Sequence, residues 1–383
     1  MKKWMRRVIV PVLLALIGTT VMGCQAFDDR EKILVYNWGE FISNEEDTYT
    51  LYGEEFEITD VIKDFEAAYP EYRVVYSTFD DNEKMYAKLE TESYDVIFPS
   101  EYMVTRLMRE NKLQELDYSK LPNVDEYLNP DLKEIQYSDD EAVNETIMNY
   151  GVPYFYTTVG LVYNTEFIPE IQTRDAEEIW GHLFDTQWES RIGMYNSMRE
   201  SIGATLNYLG YSMNTLDEGA LKEAEDILID QRRNVRPIVG IDELKDKYIS
   251  GELVAGIAWS GDHTVIQQRL EEGGEDPNQI LYALPEGSNI AVDMMVIPAD
   301  APNSDGAHAF INFMFEPEVA LKNAVYVGYS SPHLDVLEKL PADLRNNEAY
   351  YPGHDLMETL EVYYSTPEID QTYDDIWQLY LAN

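Results

Sequence analysis

The stretch ILVYNWGEF, residues 33–41, decides the fold class. Four apolar residues, Ile33 to Tyr36, form the short continuous run of a buried strand, and the run breaks at Gly39 into a polar turn. Working outward, helix and strand signals alternate. Thr59 stands where it can cap a helix with Val61, Ile62, Phe65, Ala68 and Tyr69 on one face, ending near Pro70. Residues 73–76 read as the next strand, 82–92 as a helix with Met85 and Leu89 four apart, 94–98 (YDVIF) as a strand and 102–113 as a helix. The pattern restarts further on. Strands are expected at 159–163, 192–195, 253–259 (LVAGIAW) and 293–298 (DMMVIP). Helices are expected at 175–184, through Ile202, Leu206 and Leu209, at 264–270, and after a cap at Asp305. Such alternation predicts an α/β fold with parallel strands, and its restart predicts two lobes. Residues 44–57 (NEEDTYTLYGEEFE) delay the first helix, fit no calcium-loop template, and read as a surface excursion.

Composition narrows the function. The 383 residues suffice for two domains or one large one. Asp and Glu number 72 against 28 Lys and Arg, a formal charge of -44. That field repels phosphate backbones, which argues against nucleic acid as a partner, and favours cationic ligands. Cys24 is the one cysteine, so neither an internal disulfide nor a thiolate metal cluster can form. The five histidines, His182, His263, His308, His333 and His354, are scattered without zinc-site spacing. No GxSxG elbow, P-loop or Gly-rich dinucleotide fingerprint occurs, so no cofactor and no enzyme is expected.

The first residues read as an address. Lys2, Lys3, Arg6 and Arg7 precede an apolar run, 8–23, shorter than the roughly 20 residues of a spanning helix. Residues 1–23 are therefore read as a secretory signal. The word VMGC at 21–24 resembles a bacterial lipobox, which implies that Cys24 carries a lipid. Residues 24–31 then form a tether, and the exported body meets the outer face of the cytoplasmic membrane through its anchor only.

In open α/β sheets ligands bind at the carboxyl ends of strands. Here those ends carry Trp38-Gly39-Glu40-Phe41, Pro99-Ser100-Glu101-Tyr102, Asn196-Ser197 with Arg199-Glu200, and Trp259-Ser260-Gly261. Carboxylates bind ammonium groups through charge-assisted hydrogen bonds worth about 1.5–3 kcal/mol each. Aromatic faces attract cations and cover methylene groups. A polyamine uses all of these. A sugar would also stack on the rings but asks for more Asn, Gln and Arg, and two acids across a cleft would suit a glycosidase.

Along nearly the whole chain the words at these strand ends resemble the spermidine/putrescine-binding proteins of bacterial polyamine ABC transporters. They include YNWGEF (36–41), YDVIFPSEYMV (94–104), VPYFYTTVGLVYN (152–164), SMRESIGATLNYLGYSMNT (197–215), SGELVAGIAWSG (250–261), VDMMVIP (292–298), GYSSP (328–332) and TYDDIW (372–377), in that order. The resemblance implies a two-lobed periplasmic-binding-protein fold with the ligand cleft between lobes. It implies chain crossings near 152–156 and 289–293. We expect one lobe from 32–154 with 292–337 and the other from 155–291 with 338–383.

It also implies a monomer that delivers a polyamine to an ABC permease. Carried over, Trp38 covers the ligand's alkyl chain, Glu40 meets an ammonium group, and Phe41 stands where the family has Tyr. Ser100 and Tyr102 supply a polar and an aromatic contact, Glu200 takes an internal amine, Trp259 stacks, and Asp293 takes a terminal ammonium. Tyr329 supplies a phenol, and Tyr363 falls near a Gln contact. Two positions depart: Asn196-Ser197 stand where the family usually has an acid, and Ala291 where it has a second Trp. Glu101 or the acidic segment after Phe41 is expected to compensate. The alternatives are a receptor for another small ligand (an oligosaccharide, a thiamine-like cation or a ferric complex) and a two-carboxylate hydrolase.

Overall fold

The computed structural model describes residues 28–80 and 82–383. The signal peptide and residues 24–27 of the tether, Cys24 among them, lie outside the described residues. Among the described residues eleven strands follow one another along the chain. The first five are β1 (Glu31–Trp38), β2 (Asp47–Leu51), β3 (Glu54–Ile58), β4 (Tyr72–Phe79) and β5 (Val96–Ile97). After β6 (Gly151–Asn164) come β7 (Ile192–Tyr195), β8 (Ile238–Gly240), β9 (Ala255–Trp259), β10 (Ile280–Ala283) and β11 (Ile290–Val296). Nine form one sheet in the order β4-β1-β5-β11-β6-β9-β7-β8, with β10 also on β6.

The sheet is mixed, which corrects the expectation of parallel strands. β4, β1 and β5 are parallel, as are β9, β7 and β8. Between these two groups β6 is antiparallel to β9, β10 and β11, and β11 to β5. The cause is β6 itself. Its 14 residues are all buried, so it shows no alternation, and only its second half was legible as a strand. Its first half pairs with β11 and its second half with β9 and β10, so one strand serves both halves of the molecule.

Two hydrophobic cores flank this strand. The first gathers Ile33, Phe65, Val96, Phe98, Met103, Tyr156, Met294 and Phe310. The second gathers Val159, Trp180, Met194, Ile202, Leu228, Ile257 and Tyr380. This is a two-lobed α/β fold. Residues 338–383, expected in the second lobe, divide between the cores: Leu340, Leu344, Tyr350 and Val362 pack in the first, and Ile369, Tyr373, Trp377 and Tyr380 in the second.

Two expected caps shift by one or two residues. Asp60, not Thr59, caps helix Val61–Ala68, accepting from the Lys63 N–H, while the Thr59 hydroxyl donates to Asp64 at 2.5 Å. Asn303, not Asp305, caps helix Ser304–Met314, accepting from the Gly306 N–H; Asp305 sits in the first turn and pairs with Lys120 at 2.6 Å. Residues 44–57 are more ordered than a loop. β2 and β3 form an antiparallel hairpin that buries Leu51 and Ile58. The Tyr52 hydroxyl at its turn donates to Gln267 Oε1 at 2.9 Å, in helix Ser260–Gly273 of the second lobe.

Candidate functional site

Three helices begin where their strands end, at Ser100, Ser197 and Trp259. In none does the cap side chain bond its own helix's free N–H groups. The two serines turn to carboxylates instead.

In the first lobe Ser100 Oγ donates to Asp293 Oδ1 at 2.7 Å, and the two residues form an isolated antiparallel bridge. Asn82 fixes Ser100 by donating to its Oγ at 3.0 Å and accepting its N–H at 3.2 Å. Asp293 sits at a register shift of β11, where Asp293 faces Phe155 but Met294 faces Pro153. Such a bulge re-aims a side chain. Asp293 is only 8% exposed, and burial pushes its carboxyl up to about 7, against the opposing effects of Ser100 and the Trp38 indole. The Trp38 indole nitrogen is buried and makes no hydrogen bond of normal geometry, yet lies close enough to favour the Asp293 charge. Its ring packs on Phe79, centroids 4.5 Å apart.

The second lobe repeats the arrangement. The Ser197 hydroxyl donates to Glu200. Burial raises the Glu200 carboxyl, and Ser197, Arg199 and Trp259 pull it back. Trp259 leans on Tyr195, centroids 4.5 Å apart, and its backbone N–H donates to the Tyr195 hydroxyl at 2.9 Å. That hydroxyl donates to Asp262 at 2.5 Å, and Lys245 pairs with the same acid at 2.9 Å. Arg199 is 7% exposed and donates to the Tyr364 carbonyl at 2.9 Å and Asp370 at 2.5 Å. Its guanidinium lies 4.7 Å from the centroid of Tyr102, a ring of the first lobe.

Tyr329 joins the two sides. Its ring meets Phe41 edge-on, centroids 5.5 Å apart at 90°, and rests on Gly261, where an added methyl would fall 1.9 Å from its Cδ1. Burial raises its phenol, and Asp262, Asp293, Asp242 and Glu200 raise it further, so carboxylates of both lobes act on one ring.

The structure thus gathers Trp38, Phe41, Ser100, Ser197, Glu200, Trp259, Asp293 and Tyr329. Tyr102 stands beside them under Arg199, its hydroxyl 3.3 Å from Glu83. Tyr363 is buried below, its ring and hydroxyl against Gly203. Glu40 is not brought in: it is exposed, at φ 53° in the turn after β1. Asn196 is exposed and Ala291 half-buried on β11. The sequence reading missed the Tyr195–Asp262–Lys245 chain behind Trp259. The signal was available in Asp262, three residues past a strand-end Trp, but its partners come from other elements. Among the described residues no cluster of His, Cys, Asp and Glu could hold a metal, and no helix is long and apolar enough to cross a membrane.

Two lobes that close acids and rings between them make a solute-binding protein. The comparisons name the family. A model described as "Bacterial extracellular solute-binding protein" matches residues 60–351, and the chain belongs to that family. It is a family of binding proteins, not of enzymes. The chain is 30% identical over 312 residues to spermidine/putrescine-binding periplasmic protein 1 of Haemophilus influenzae, covering 80% of this chain and 81% of that one. It is 30% identical over 371 residues to the putrescine-binding periplasmic protein SpuD of Pseudomonas aeruginosa, covering 93% of each. Among solved structures it resembles the spermidine/putrescine ABC transporter substrate-binding protein PotD of Streptococcus pneumoniae. That likeness has TM-score 0.73 and 32% identity, over 92% of this chain and 99% of that one. The TpPotD lipoprotein of Treponema pallidum gives TM-score 0.71 and 25% identity, over 91% and 99%.

Proposed function

We propose that this chain is an extracytoplasmic receptor for polyamines of the spermidine/putrescine class and delivers its ligand to an ABC importer. The observation that carries the reading is the pairing of acids across the lobes. Asp293 and Glu200, one from each lobe, both act on the Tyr329 phenol, and each has a serine hydroxyl and an indole beside it. The names of the relatives support the same ligand class.

In this reading Asp293 takes one terminal ammonium and Glu200 another amine. Both carboxyls are raised by burial, and an ammonium brought to each favours the charged form again. Trp38, Trp259, Phe41 and Tyr329 cover the methylene chain, contributing about 0.8 kcal/mol per buried CH₂. Ser100 and Ser197 hold the acids in place, and Tyr102 with Tyr363 closes the far wall. Glu40 is left for the rim. Because the acids come from different lobes, a ligand that contacts both favours the closed form, which then docks on the permease. The lobes follow the two cores, with β6 and β11 as the crossing.

The protein is exported, as its family is. We extend this to a monomer held on the outer face of the cytoplasmic membrane by a lipid on Cys24. The VMGC word and the likeness to a lipoprotein support the anchor. Replacing Cys24 by Ser should move the protein from the membrane fraction to the soluble one; retention on the membrane would reject the anchor.

Calorimetry with spermidine, putrescine, maltooligosaccharide and thiamine tests the ligand class. Saturable heat with the polyamines alone is expected. Binding of another of these ligands with no polyamine response would overturn the proposal.

A further inference from the structure

The helix Glu101–Arg109 opens with an acid inside the protein. Glu101 is 1% exposed. Its Oε2 accepts the Val292 N–H at 2.8 Å, which seats the carboxyl beside Asp293, the next residue of β11. Its Oε1 is buried and has no hydrogen-bond partner. A second buried polar atom, the Tyr363 hydroxyl, is also without a partner, and the Glu101 and Glu200 carboxylates both act on that phenol.

The nearby cation does not answer this need. Arg199 attracts Glu101, but its bonds go to the Tyr364 carbonyl and to Asp370. A buried carboxylate oxygen left unpaired is costly, and so is a buried hydroxyl. Burial pushes the Glu101 carboxyl up to about 8, and the Asp293 charge adds to the shift. What would satisfy both orphan atoms is a positive group with several N–H donors. An ammonium group brings three N–H donors and a positive charge, whereas a water neutralises no charge.

We infer that Glu101 is a specificity-determining carboxylate of the cleft, which together with Tyr363 takes one ammonium group and fits the site to a triamine over a diamine. The inference rests on the polyamine reading above. Asp293, Glu101 and Glu200 then offer three acids, which matches a ligand with three positive nitrogens. A diamine leaves one acid unpaired. The position also answers the absence of an acid at Asn196-Ser197.

The test is calorimetry with spermidine and putrescine on the full exported domain, for the wild type, Glu101→Gln and Tyr363→Phe. Gln keeps an acceptor for the Val292 N–H and removes only the charge. Loss of one charge-assisted contact should weaken spermidine by roughly tenfold to a hundredfold and putrescine by less than about threefold, so the preference for the triamine collapses. Tyr363→Phe removes only the hydroxyl and should shrink the same ratio, whether or not the Gln variant folds. Equal losses for both ligands, or no change for either, would show Glu101 to be structural and overturn the inference. A wild type that binds neither amine would instead reject the polyamine reading itself.

Discussion

The ring of Tyr329 rests on Gly261, so closely that a methyl group on Gly261 would lie 1.9 Å from Tyr329 Cδ1 and 2.0 Å from Cε1. Tyr329 follows helix Pro317–Val327 of the first lobe, and Gly261 opens helix Ser260–Gly273 of the second. The contact therefore exists only when the lobes meet as they do here. Gly261→Ala should hold them apart or push the ring aside. Spermidine affinity should drop by about tenfold or more, from an overpacking cost of about 1–3 kcal/mol, with little change in the ligand-free melting temperature. Calorimetry beside a thermal melt separates this from simple unfolding, which would lower both.

Asp293→Asn keeps the shape of the acid and a partner for Ser100 but removes the charge. Spermidine and putrescine should both weaken, by roughly tenfold to a hundredfold. The ligand-free variant should be no less stable than the wild type, because a buried carboxylate costs free energy that a buried amide does not. An unchanged dissociation constant for both amines would remove Asp293 from the site.

Stability should depend on pH in a way that ligand reverses. In the folded protein burial raises Asp293 to about 7 and Glu101 to about 8, whereas unfolded carboxyls titrate near pH 4. Below about pH 4 these acids hold their protons in both states, and their contribution to stability is fully present. As pH rises through about 7 to 8 that contribution is lost, because the unfolded chain has already released protons that the folded protein must give up at a cost. His263, buried and lowered to about 4, works the other way between about pH 4 and 6.5. Comparing melts of the wild type and Asp293→Asn from pH 5 to 8 cancels the histidine. The wild type should lose stability relative to the variant as pH rises, and saturating spermidine should abolish that trend. Two parallel curves without ligand would contradict the burial of Asp293.

Arg199 ties the second lobe together and stacks on the first. Its fork reaches the Tyr364 carbonyl and Asp370, and its face covers Tyr102. Lys keeps the charge but offers neither fork nor plane. Arg199→Lys should cost about 2 kcal/mol in urea unfolding, less than a fully buried pair because Asp370 is partly exposed. It should also speed spermidine release, since the stack on Tyr102 crosses between lobes. A stopped-flow release rate equal to that of the wild type would confine Arg199 to folding.

How much of this was legible depends on where each residue's partners lie. Strands 192–195 and 33–36 could be read because buried parallel strands leave short apolar runs. The rule that ligands gather past strand ends led to Trp38, Ser100, Glu200 and Trp259, each of which the structure finds at such an end. The first half of β6 was not legible as a strand: PYFYTT holds buried threonines and tyrosines without alternation, because both its faces are covered. Helix Glu218–Asn234 was passed over, its buried face resting partly on Ala220 and Ala224, which give a weak apolar signal. The burial of Glu101 could not be read at all. Nothing in PSEY distinguishes an acid folded under β11 from one in water, and only the Val292 N–H settles which it is.

The continuity of β6 has a consequence for how the molecule comes apart. Leu161 and Val152 belong to different cores but to one hydrogen-bonded ribbon. Neither half can melt without stripping the other's edge of its partner, so heat should undo the whole body in one cooperative step. A ligand gripping any part of the gap then protects every part of the chain.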